Sequence, residues 1–268
     1  MSIVGLTVYG PEAARSGLTT PLDDFIRQGT SLEIVERFFL VHSRASIDAF
    51  YSLTDSTRGQ HWPLVLDLFD MRPACATIWE GADALQLLQN LKGDKQPARA
   101  APGTVRSLFC CDNPVTNLIH VSDSEEIMAC ELGILRRQFA GDADAGWRAL
   151  SSGRISHSAF HVLLDILREE QALPLVDGLR VDDAALNARF CYNQALLLAS
   201  NTDLFTTVER YLQGEYSGFE SLVGRVSPLP AWDRLVLEAG LSAMPFWSDL
   251  FRCERFAASI SPGSGRKE

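Results

Sequence analysis

Asn117-Leu118-Ile119-His120-Val121-Ser122-Asp123-Ser124 sets one imidazole directly ahead of a polar turn, and Glu131 follows further along. An imidazole can do chemistry when one ring nitrogen is free and the other is held fixed. Ser122, Asp123 and Ser124 are also ordinary residues for opening a helix. On this pattern alone a structural histidine is the favoured reading. His157 and His161 stand four residues apart, a spacing that can hold a metal on one helix face. No carboxylate or cysteine completes a ligand signature there, so they read as surface or core histidines. The six cysteines contain no Cys-x-x-Cys pair. They read as buried thiols in a reduced, cytoplasmic chain.

The elements that must position these groups follow from periodicity. Ile3 to Tyr9 alternates as a strand, ended by Gly10-Pro11. Pro21 to Gln28 reads as a short helix stopped by Gly29, and Ser31 to Val41 as a second strand. Ser46 to Leu53 and Trp62 to Phe69 are helical, with polar Asp55 to Gln60 between them. Ala74 to Trp79 is a third strand and Ala82 to Leu91 a helix. After a loop from Gly93 to Gly103, Arg106 to Cys111 reads as the fourth strand and Ser124 to Leu135 as a helix. With the helix pair between strands two and three taken as an insertion, this is an α+β, ferredoxin-like antiparallel sheet with helices.

Gly141-Asp142-Ala143-Asp144-Ala145-Gly146 reads as a small polar joint. It divides the chain into residues 1–140 and 141–268. The second part reads as all-helical, with Phe160, Leu163, Leu164 and Leu167 on one helix face. Asp182 and Asp183 are placed to cap another helix carrying Leu186, Phe190 and Leu197. Asp203 to Leu212 and Trp232 to Leu241 are two more, and the tail from Ser259 reads as frayed. The formal net charge of −10 argues against binding nucleic acid or an anionic membrane non-specifically. No apolar run approaches a membrane span, and the N-terminus has no secretory pattern.

Taken together and in order, these segments resemble the nucleoside diphosphate kinase family. The His120 stretch resembles the family's Asn-x-x-His-Gly-Ser-Asp-Ser, with a Glu on the next helix. Pro102-Gly103-Thr104-Val105-Arg106 resembles Pro-Gly-Thr-Ile-Arg. Gly10-Pro11-Glu12-Ala13, Gly17-Leu18, Trp79-Glu80-Gly81, and Gly93 with Pro97 match further family motifs at near-family spacing. The resemblance implies a phosphotransferase that moves a phosphoryl group from a nucleoside triphosphate, through a phosphohistidine, to a nucleotide or other small phosphorylated acceptor. It implies His120 as nucleophile, Glu131 to orient its ring and Tyr51 as an active-site phenol. It implies Arg106, Asn117, Thr104, Lys95 and Ser122 as groups around nucleotide and phosphate, with Mg²⁺ accompanying the nucleotide and a possible homo-oligomer.

Four positions depart from the family pattern. Gly10 stands for a Lys, Gln89 for an Arg, Lys95 for a Thr and Val121 for the Gly after the histidine. Losing two cations from a phosphate site favours an alternative, a catalytically impaired nucleotide-binding or scaffolding protein. Lys95 restores one charge, and Arg99 on the same loop is a second candidate. Val121 is expected to add bulk beside the nucleophile. Asp55 to His61 reads as an insertion near the base-binding edge.

Overall fold

A computed structural model of the chain describes residues 3–174, 184–226 and 228–260. The first half runs β1 (Val4–Tyr9), α1 (Pro11–Arg15), α2 (Thr19–Thr30), β2 (Glu33–Val41), α3 (Arg44–Ser52), α4 (Trp62–Phe69), β3 (Pro73–Glu80), α5 (Ala84–Lys92), α6 (Val105–Leu108), β4 (Ile119–Val121) and α7 (Glu125–Leu135). The second runs α8 (Ala143–Ala149), α9 (Ala159–Glu170), α10 (Ala184–Ala199), α11 (Phe205–Leu212), α12 (Tyr216–Arg225), α13 (Ala231–Leu241) and α14 (Met244–Ile260). The four strands form one antiparallel sheet in the order β2-β3-β1-β4. That order, with α3 and α4 inserted between β2 and β3, is the ferredoxin-like arrangement expected from the sequence.

The fourth strand is not where periodicity placed it. Residues 106–111 are the end of α6 and a loop, and the strand is the three-residue segment Ile119–Val121. Ser107, three residues past the N-cap Thr104, accepts the Thr104 N–H at 3.0 Å and starts a helical turn instead. Cys110 then takes a positive φ of 56°, which no strand contains. The two adjacent cysteines are thus buried in a loop, not on opposite faces of a sheet. Gly29 does not stop the second helix, which runs on to Thr30 and ends where Ser31 turns left-handed at φ 60°.

Alternation divides the core in two. Leu6, Val8, Ala74, Ala76 and Ile78 face one side with Phe50, Leu68 and Met128. Tyr9, Cys75 and Trp79 face the other with Leu22, Ile26 and Leu88. Val8 pairs directly with His120, so both point to the first side, toward α3 and α7. Ile119 and Val121 point to the second.

The polar joint at 141–146 is largely helix. It forms the start of α8, which lies on β2 and β3 and buries Trp147 against Phe39 at 5.9 Å. In α9 the residues from Val162 to Leu167 are all buried, so this helix is enclosed, packing on α10 and α13. In α10 the expected stripe is reversed. Leu186, Phe190 and Leu197 are exposed, while Ala188, Cys191, Ala195 and Ala199 are buried. Small residues at that helical spacing let α9 approach closely, which a stripe of Leu and Phe would prevent. The proposed caps Asp182 and Asp183, and residues 261–268 of the tail, lie outside the described residues. No helix among the described residues is long and apolar enough to cross a membrane.

Candidate functional site

The site is built on the three residues of β4 and the loop that feeds it. That loop is secured from the helical half. Asp112 is fully enclosed and accepts from the Ser158 hydroxyl at 2.6 Å, the Phe160 N–H at 2.9 Å and the Asn113 amide at 2.8 Å. Trp247 of α14 donates to the Asp112 carbonyl at 2.8 Å, and the Thr116 hydroxyl donates to the His157 carbonyl at 2.6 Å. The other side of the same loop, at Pro114, Val115 and Asn117, lines a cleft.

His157 completes this anchor. It precedes α9, whose N-cap is Ser158, so His157 and His161 do not share a helix face. Its Nε2–H donates to the Phe109 carbonyl at 2.7 Å, and its Nδ1 accepts from the Ser16 hydroxyl at 2.8 Å. Burial pushes its pKa down to about 4. The unfolded chain therefore takes up this proton before the folded one does. The stability His157 contributes is complete above pH ~6.5 and is lost as the pH falls toward 4, at about 1.4 kcal/mol per unit. Urea unfolding of wild type and His157→Asn at pH 7.5 and pH 4.5 should show the gap between them narrow by about 2–3 kcal/mol. A gap independent of pH would show that the ring's neutrality contributes nothing.

Arg106 ties the loop to α5. Its guanidinium donates to the carbonyls of Gly93 at 3.1 Å, Ile119 at 2.8 Å and Asn117 at 3.4 Å, and to the Asn117 side-chain oxygen at 3.1 Å. Four of its five N–H groups are thereby committed. Asn117 spends its amide N–H on the Pro114 carbonyl at 2.8 Å. Beneath, Glu12 accepts the Leu118 N–H at 3.0 Å through one oxygen, while its other oxygen is buried without a partner. Burial raises this carboxyl to about 7. A Cβ built at Gly10 would overlap the Glu12 carboxyl, with Cδ only 2.7 Å away.

His120 emerges from this frame into the cleft with 19% of its side chain exposed. Its Nε2 lies 2.8 Å from Glu131 Oε1, and the Ser122 hydroxyl donates to Glu131 Oε2 at 2.5 Å. Carboxylate oxygens accept, so the ring places its hydrogen on Nε2 and keeps its lone pair on Nδ1. Phe50 and Tyr51 flank the ring edge-on at centroid distances of 4.9 and 6.0 Å. Burial pushes the Tyr51 phenol well above its ordinary range, so it stays protonated.

The cleft encloses about 410 Å³. His120, Tyr51, Arg106, Asn117 and Lys95 line it. Glu131 and Ser122 stand behind the ring and not in the cleft. Thr104 is buried as the cap of α6, its hydroxyl on the Ala101 carbonyl at 2.8 Å. Arg99 is not among the lining residues and lies over the Phe246 ring of α14 at 4.9 Å. Val121 is fully buried on the opposite sheet face and adds no bulk beside His120. The segment read as an insertion contributes Asp55, Ser56, Gly59 and His61 to the far rim. Lys92 and Asp123 also line the cleft, two residues that the sequence reading does not place in the site. The available signal was a cation closing a helix directly before Gly93.

Comparison with known proteins follows the same residues. The profile described as nucleoside diphosphate kinase matches residues 8–139. A nucleoside diphosphate kinase of Halorubrum lacusprofundi is 32% identical over 112 residues, covering 38% of this chain and 70% of that protein. One of Ehrlichia canis is 31% identical over 121 residues, covering 44% and 82%. One of a Nocardioides species is 30% identical over 135 residues, covering 50% and 96%.

Proposed function

Because the chain belongs to the nucleoside diphosphate kinase family, we propose that its cleft transfers a phosphoryl group from a nucleoside triphosphate to a nucleoside diphosphate or another small phosphorylated acceptor. The observation that carries this is the His120–Glu131–Ser122 chain of hydrogen bonds, which occupies Nε2 and leaves the lone pair on Nδ1 of a ring that lines the cleft.

The Nδ1 lone pair attacks the terminal phosphorus, and the bond from that phosphorus to its bridging oxygen breaks. The nucleoside diphosphate leaves with the bond's electron pair. The ring then carries a phosphoryl group on Nδ1 and a hydrogen on Nε2, and its positive charge is stabilised by Glu131 at 2.8 Å. In the second half an acceptor phosphate oxygen attacks the phosphorus, the Nδ1–P bond breaks and the lone pair returns to the ring. Charge on the three equatorial oxygens is met by cations of the cleft and by the Tyr51 hydroxyl. Mg²⁺ accompanying the nucleotide would supply positive charge to neutralise its phosphates. The residues present suit a metal brought by the nucleotide: Asp55 lines the cleft, Asp123 is paired with Lys92, and among the described residues no group of three His, Cys, Asp or Glu side chains is placed to cage an ion alone.

In this reading residues 1–140 are the phosphotransfer unit. Residues 141–268 are a helical extension that fixes the loop behind the cleft. A second reading, nucleotide binding without turnover, is favoured by the commitment of Arg106 to backbone carbonyls. Intact-mass measurement after mixing with ATP and Mg²⁺ separates the two. Phosphotransfer predicts one added phosphoryl group, removed again by a nucleoside diphosphate. An unchanged mass with every nucleoside triphosphate tried, alongside measurable binding, would favour the second reading.

A further inference from the structure

A phosphate-transfer site needs a mobile cation, and the charged groups of this cleft differ in how far they are already engaged. Arg106 has four of its five N–H groups on protein acceptors. Residue 10 is glycine, and the space beside it is occupied by the Glu12 carboxyl. Gln89 is neutral, and its amide is held by the carbonyls of Ser122 and Asp123, both at 2.9 Å. Lys95 is exposed to solvent.

Lys92 is different. It is the last residue of α5, and Gly93 turns the chain away from it with φ 86°. Only 20% of its side chain is exposed, and it lines the cleft with His120. Its ammonium has three donors. They meet the Val121 carbonyl at 3.4 Å and the Asp123 carboxylate at 3.8 Å, both long contacts. The remaining charged groups acting on it are Arg106, which repels it, and Glu131, which attracts it from behind the ring.

We propose that Lys92 is the cation that receives the transferred phosphoryl group, giving up Asp123 for phosphate oxygens held beside Nδ1 of His120. This rests on the phosphotransfer reading of the cleft. A desolvated ammonium with weak protein partners gains from an incoming anion more than a saturated guanidinium does. Its present situation is correspondingly unfavourable: burial first, and Arg106 second, push its pKa down. Asp123, 61% exposed, is a resting counter-ion that solvent can take over once phosphate arrives. The side chain that completes the cradle therefore comes from the end of α5, three residues after Gln89.

The test measures equilibrium binding of AMP and of the better-bound imido analogue of ATP or GTP, with Mg²⁺. Wild type, Lys92→Met, Lys92→Arg and Asp123→Asn are compared, and the melting temperature of each is recorded. Lys92→Met should weaken the triphosphate analogue about tenfold to a hundredfold, with AMP affinity unchanged. Lys92→Arg should stay within about fivefold of wild type, and Asp123→Asn should bind the analogue more tightly, because a competing charge is gone. Equal analogue affinity in wild type and Lys92→Met, or an equal loss for AMP, overturns the assignment. If Lys92→Met fails to fold, Asp123→Asn decides: weaker binding there overturns the assignment. A wild type that binds the analogue and forms no phosphoenzyme with ATP removes the transfer reading, and Lys92, if its variants behave as stated, then holds a terminal phosphate that is bound and not transferred. A wild type that binds no triphosphate removes both.

Discussion

Replacing His120 by alanine should abolish phosphoenzyme formation and turnover together. The reaction proposed here has no route around the ring, because acceptor and donor occupy the same cleft in turn and the phosphoryl group must wait on the protein between them. Alanine also leaves Glu131 Oε1 buried without its partner, which costs roughly 1–3 kcal/mol of stability. Loss of activity in that variant alone is therefore open to a folding explanation. His120→Gln removes it. A carboxamide can still donate to Glu131 but has no nucleophilic nitrogen, so it should melt close to wild type and carry no phosphoryl group. Turnover by a folded His120→Gln protein would mean that the triphosphate passes its phosphoryl group directly to the acceptor.

Glu131→Gln should lower the rate of phosphoryl transfer by about 10²–10⁴ while leaving nucleotide affinity within a few-fold. Glu131 accepts twice, from His120 Nε2–H and from the Ser122 hydroxyl. A carboxamide can accept on one side only. If its NH₂ faces the ring, the ring must carry its hydrogen on Nδ1, where the lone pair is needed. If its oxygen faces the ring, the tautomer survives, but the charge that balances a phosphorylated imidazole is gone. Both outcomes act on the transition state more than on bound substrate, so kcat falls and KM does not rise in proportion. Single-turnover kinetics on a rapid-quench instrument, with binding measured separately, resolves the two. A variant that turns over like wild type would reduce Glu131 to a structural acid.

Much of this arrangement is legible in the chain, for reasons that differ by element. β1, β2 and β3 each alternate over six or more residues, long enough for a period of two to register. β4 has three residues, too few for any period. Leu108, Phe109, Cys110 and Cys111, by contrast, have apolar types that suit a strand, while the helix signal lies in Thr104 and Ser107. His120 and Glu131 sit on different elements, 11 positions apart, so only the ordered motif joins them. Glu131 then proves to be nearly completely enclosed, which no spacing rule contains. Lys92 carries only a weak sequence signal, because a lysine at a helix end is ordinarily a solvated charge on the last turn. Its burial comes from β4 and the loop folding over it, contacts made by residues about 30 positions away. The buried face of α10 is hidden in the sequence because large apolar residues outweigh alanines in a pattern, whereas close helix packing selects the alanines.

Residues 109–118 show how the helical half bears on the site. Asp112 and His157 are buried polar groups in which nearly every hydrogen-bonding atom has a partner across the boundary between the two halves. Such a network fixes one conformation of the loop. Cys110 and Leu118, at its two ends, have φ of 56° and 72°, strain that this anchoring must hold in place.

The most direct measurement is phosphorus NMR of the protein after reaction with ATP and Mg²⁺ at alkaline pH, followed by peptide mapping under the same conditions. The expected result is a single acid-labile phosphoramidate on Nδ1 of His120 that vanishes when a nucleoside diphosphate is added. A phosphoryl group on Nε2, on any other residue, or one that no nucleoside diphosphate or other phosphorylated acceptor removes, would contradict it.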